Sequence, residues 1–165
     1  MGRAVIAGEM SDQDLRDRVW PTGVYIQTDQ GWFASSQDLR DGSLVDRLIL
    51  FGERGRERDV RPPIEAKEVR SLSTEGLYHG QWLGMGTITD ADGVLVHTPA
   101  PRGAANRFAH LFYSGGEDAE RIAQLPGATL LDPRGSNGGI VIPIRLSDLT
   151  DHRTTVRTLH DAVQE

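Results

Sequence analysis

With 165 residues, 38% of them hydrophobic and 25% charged, the chain suits one domain or two small ones sharing a core, and is too apolar for intrinsic disorder. It has no cysteine, which excludes a disulfide scaffold, thiolate zinc sites and a cysteine nucleophile. A net charge of −6 argues against broad attraction to phosphate backbones, and the longest apolar stretch, Leu48 to Phe51, is too short to span a bilayer; no membrane partner is expected, and the cytoplasm is the expected address.

Ser11-Asp12-Gln13-Asp14 reads as a capping-box-like start, and Leu15 and Val19 are spaced for one face of a short helix ending before Pro21. Gly23 to Gln27 is rich in β-forming residues. Asp29-Gln30-Gly31 supplies turn chemistry, and Trp32-Phe33-Ala34 returns as the second strand of a hairpin. Ser36 can cap a short helix through Asp38-Leu39-Arg40 that Gly42 curtails, and Arg47 to Phe51 reads as a buried strand. The loop that follows is crowded with Arg54, Arg56, Arg58 and Arg61. It reads equally as a local phosphate-binding patch or as a solvated loop interleaved with Glu53, Glu57 and Asp59.

Pro62-Pro63 fits a helix start, and the spacing predicts a helix over 64–73. On its projection Ile64, Val69 and Leu72 form an apolar arc that also contains Glu65 and Glu68. A carboxylate on that side must snorkel, find a partner or coordinate a metal. Trp82 to Ile88 and Val94 to His97, around the turn Asp90-Ala91-Asp92-Gly93, predict a second hairpin. Helices are predicted over 104–113 and 117–125, strands over 129–131 and 140–144, and a terminal amphipathic helix carrying Val156, Leu159 and Val163. His79, His97, His110, His152 and His160 show no pair at metal-ligand spacing, and Gly135 to Gly139 lacks the Lys-Ser/Thr of a phosphate cradle.

The order hairpin, short helix, strand, helix with an inward Glu, together with Thr22-Gly23-Val24-Tyr25-Ile26 and Asp38-Leu39-Arg40, resembles the GIY-YIG nuclease domain. In that family Gly-Ile/Val-Tyr is followed by Tyr-Ile-Gly on the partner strand, then by a helix Arg and a later helix Glu that binds a divalent metal. Gly23-Val24-Tyr25 matches the first motif and Pro63-Ile64-Glu65-Ala66-Lys67 resembles the metal segment, while either Trp32-Phe33-Ala34 or Phe33-Ala34-Ser35 stands where Tyr-Ile-Gly is expected.

The resemblance implies an α/β (α+β) protein, with a small sheet and flanking helices over 1–78 and a carboxy-terminal α+β extension over 79–165. It implies metal-dependent hydrolysis of DNA, with Tyr25 assisting the water, Arg40 contacting phosphate and Glu65 binding Mg²⁺ or Mn²⁺. The degenerate second motif removes a phenol and a glycine that this chemistry uses. It therefore also points to impaired catalysis, or to a non-catalytic binding or assembly protein acting with a protein partner or inside a larger complex.

Overall fold

Ser11 opens the first element as the sequence predicts: its hydroxyl accepts the Asp14 N–H and caps helix α1, Asp12–Asp17. The structure, a computed structural model, describes residues 10–35, 47–130 and 139–161. Helix α1 stops short of Val19, which enters strand β1, Arg18–Val19. The expected hairpin follows as β2, Gly23–Thr28, and β3, Gly31–Ser35, with Thr28 opposite Gly31 across the turn. Strand β4, Leu48–Phe51, pairs with β5, Arg58–Arg61. The helix predicted from Ser36, with Arg40 on it, lies outside the described residues, as does most of the glycine-rich segment 135–139.

From residue 63 onward the α/β expectation is overturned. A single 3-10 turn, Pro63–Glu65, leads into an 11-residue strand, β6, Glu68–Tyr78, where a helix over 64–73 is predicted. The reason lies in burial on both faces. Val69 packs with Ile26, Phe33, Leu48 and Leu50, whereas Leu72 packs on the other face with Trp20, Tyr25 and Trp32. Apolar residues three apart suggest one helical face, yet they also fit opposite faces of a strand that is covered on both sides.

The same correction applies downstream. Strand β7, Gln81–Thr89, and β8, Leu95–Val96, form the predicted second hairpin, and β9, Ala100–Pro101, pairs with β1. Where a helix over 104–113 is predicted the chain forms β10, Phe108–Tyr113, and only Ala119–Ile122 of the next predicted helix is helical, as α2. Strands β11, Thr129–Leu130, and β12, Ile140–Arg145, precede the last one, β13, Asp151–Asp161, which replaces the predicted terminal helix. There Val156 stands opposite Leu72 while Leu159 packs with the cluster around Val69, so a spacing of three again marks two faces.

Apart from β1 and β9, which form a separate two-stranded sheet, the described strands form one antiparallel sheet in the order β11-β12-β10-β7-β6-β2-β3-β4-β5, with β13 added on β6 and β8 on β7, and the sheet curls into a half-barrel. Residues on both sides of position 78 contribute to it. The inner face of the β7-β10-β12 half buries Leu83, Met85, Ile88, Leu111, Ile140 and Ile142 against Ile122 and Leu146. Each such side chain contributes about 1.5–3 kcal/mol on leaving water.

Candidate functional site

Strand β6 pairs with β13 along the whole of one edge, from Glu68–Asp161 to Leu77–Asp151. Its other edge is therefore divided, with β2 opposite residues 68–72 and β7 opposite 74–78. Between them the sheet forks. Thr22 sits in the crotch: its hydroxyl accepts the Thr74 N–H at 3.0 Å and donates to the Met85 carbonyl at 2.5 Å, so both arms are tied where their ladders part. Gly23 leaves this point at φ +154°, a region that L side chains rarely adopt.

The two arms meet again at their far ends. Arg54 stands opposite Val96; the Gly55 N–H donates to the Leu95 carbonyl at 2.7 Å, and the His97 N–H to the Glu53 carbonyl at 2.9 Å. The His97 ring stacks on Phe51 with centroids 4.4 Å apart, and its Nε2 lies 2.7 Å from the Gly55 carbonyl, so Nε2 carries the donating proton. Arg54 also holds Asp90 and Asp92 on the turn between β7 and β8. Backbone pairing thus closes a ring through β6, β2, β3, β4, residues 53–55, β8 and β7.

The ring borders a cavity of about 240 Å³ lined by Val24, Phe51, Leu95 and Val96 with Ser35, Thr87 and His97. Among the described residues no Asp, Glu, Lys or Arg lines it. Its walls are apolar, with a few hydroxyls and one imidazole to orient a guest.

Tyr25 is among the residues lining this cavity, but its hydroxyl is already committed. The side chain is 1% exposed, its hydroxyl donates to the Pro21 carbonyl at 2.6 Å, and its ring meets Trp20 edge-on at 5.2 Å. Burial pushes the phenol far above its ordinary value, the opposite of what activating a water requires. Glu65 lies elsewhere, exposed on the 3-10 turn beside an Ile64 that is 90% exposed, with Arg61 Nε 3.9 Å away. The metal-bearing helix implied by the resemblance is not formed, and Arg40 lies outside the described residues. Among the described residues no three His, Cys, Asp or Glu side chains are grouped to hold a metal ion.

The arginine-rich loop resolves in favour of internal pairing at two positions. Arg54 is held by Asp90 and Asp92, and Arg61 by Asp59 at 2.9 Å. Within β6, Arg70 lies over the Trp32 ring at 4.8 Å. Glu68 Oε2 comes within 2.7 Å of its Nε, close enough for a charge pair but out of line with an N–H that is buried without an acceptor. The inward Glu of the helical projection is thus a carboxylate on a strand, offset by its neighbour.

Sequence reasoning passed over His97, Phe51, Thr87 and Thr22. One signal for the ring was present, namely two aspartates on the Asp90–Gly93 turn facing an arginine-rich loop of opposite charge. No helix among the described residues is long and apolar enough to cross a membrane. The chain matches no protein-family model, no curated protein and no solved structure, so the functional reading rests on its own geometry.

Proposed function

We propose that the chain is a non-catalytic binding protein that admits a small, uncharged, largely apolar molecule into the ring between its two arms. The carrying observation is the cavity inside the backbone-closed ring, which among the described residues is lined by apolar side chains, hydroxyls and one imidazole and by no charged side chain. A charged guest would lose its hydration there with nothing to offset it, whereas an apolar one gains from burial against Val24, Phe51 and Val96. His97 and Thr87 are the residues of the lining that would hydrogen-bond one polar group on the guest. The sealed Tyr25 hydroxyl and the remote, exposed Glu65 favour this reading over metal-dependent cleavage of DNA.

Titration with indole and with p-cresol, followed through the backbone amide resonances of the full chain, tests the proposal. Saturable shifts at Thr87, Val96 and His97, lost in Thr87→Phe, are expected. Shifts scattered over the surface or absent altogether would sink it. Incubation with plasmid and branched DNA in Mg²⁺ or Mn²⁺ is the companion test: cleavage that disappears in Glu65→Ala would restore the nuclease reading in its place.

A further inference from the structure

Strand β13 uses one edge for β6, and among the described residues no strand pairs with the other. Long open edges present unpaired backbone groups and are ordinarily blunted or covered. Here the middle of the strand, Thr155 to Thr158, is exposed at four successive residues, so neither face is covered there, and Val156 is 36% exposed.

The register shows which backbone groups are open. The Thr74 N–H points away from β13, to Thr22, and the Thr74 and Thr154 hydroxyls lie 3.0 Å apart. Thr74 and Thr154 are therefore a pair that exchanges no backbone hydrogen bonds, and Thr154 directs its own N–H and C=O outward. By alternation Val156 and Thr158 do the same, since the first irregularity in the ladder comes after Thr158.

The segment is partly symmetric about Val156, with Thr154 matching Thr158, His152 matching His160 and Asp151 matching Asp161, while Thr155 and Arg153 face Arg157 and Leu159. A two-fold axis beside Val156 would set Val156 against its own copy and Thr154 against the partner's Thr158. All of these residues face outward, so each pair exchanges two backbone hydrogen bonds. A groove of about 490 Å³ flanks the start of β13, where Arg102 holds Asp151 at 3.2 Å.

We propose that β13 is the interface of a homodimer in which two copies pair antiparallel about Val156 and join their half-barrels into one continuous sheet. The proposal stands apart from the cavity, which lies on the far edge of β6.

Sedimentation equilibrium of the full chain over a wide concentration range, on the wild type and on Val156→Pro and Val156→Cys, tests it. Proline removes only an outward N–H, which an edge strand tolerates, so Val156→Pro is expected to keep the wild-type circular dichroism and to sediment as a monomer. The wild-type chain has no cysteine, and opposed residues of a hydrogen-bonded pair have Cα atoms about 5.5 Å apart, inside disulfide range, so oxidised Val156→Cys is expected to run as a covalent dimer. If Val156→Pro fails to fold, the cross-link decides. A wild type that is monomeric throughout, or a dimer whose Val156→Cys chains stay unlinked, overturns the proposal.

Discussion

The Thr74 N–H donates to the Thr22 hydroxyl at 3.0 Å at the one position of β6 where the ladder to β2 has ended and that to β7 begins. A side chain there stands in for a missing backbone acceptor. Thr22→Val keeps the shape and leaves both the Thr74 N–H and the Met85 C=O short of a partner, so it should destabilise by about 1–3 kcal/mol. Thr22→Ser retains the hydroxyl and should stay within about 1 kcal/mol of wild type. Urea denaturation separates the two, and equal losses would mean that the hydroxyl is irrelevant.

Tyr25 supplies a test by pH. Its phenol is held neutral in the fold and ionises in the unfolded chain near the ordinary value of 10.0, so its contribution is fully present below that value. Above it the unfolded state gains by losing the proton, and stability falls as pH rises toward the elevated folded value. Tyr25→Phe should flatten the alkaline fall. It should also cost about 1–2 kcal/mol at neutral pH, because the Pro21 carbonyl is left unpaired. Chemical denaturation at a series of alkaline pH values measures both.

Asp90 titrates in the opposite sense. The hydrogen bond from Arg54 is the main cause holding its carboxyl below the ordinary 3.8, so the stability this contributes is present above 3.8 and is lost as pH falls below it, through the folded value. In Arg54→Ala the Asp90 carboxyl carbon, followed by NMR, should titrate closer to 3.8. Unchanged titration would show that the grip on the β7–β8 turn does not exist in solution.

Gly76 lies so close to Leu149 that an added Cβ would meet both of its methyls at 2.9 Å. Gly76→Ala is expected to cost about 1–3 kcal/mol by overpacking. Leu149→Ala should relieve it, so that the double variant is more stable than the sum of the singles by at least about 0.5 kcal/mol in a double-mutant cycle.

Segments with one clear period or a marked turn were legible in the sequence. Gly23 to Ala34 announces its hairpin through β-forming residues around Asp29-Gln30-Gly31, and Leu48 to Phe51 is bounded as a buried strand should be. Strands β6 and β13 were misread for a related physical cause: Val69 and Leu72 serve two different cores from opposite faces, and in β13 Leu159 packs with the cluster around Val69 while Val156 stands opposite Leu72 on the other, exposed face, which copies helical spacing. Tyr25 was placed correctly on its strand, but only the fold reveals that its hydroxyl donates to the Pro21 carbonyl. The ring was not legible, because Phe51 meets His97 across a gap that no local pattern records.

The ladder between β6 and β13 joins residues far apart in the chain, as the contact of Thr74 with Thr154 across 80 positions shows. During synthesis from the amino terminus the middle strand of the sheet emerges long before the neighbour that covers its whole second edge. Until then the nascent chain carries an open β edge flanked by apolar side chains, including Val69 and Leu72, which is the kind of surface that associates wrongly. Closing so wide a loop also favours slow folding. The last strand is therefore the timing element of the molecule, since its arrival ends the interval in which the growing chain is most exposed to misassembly.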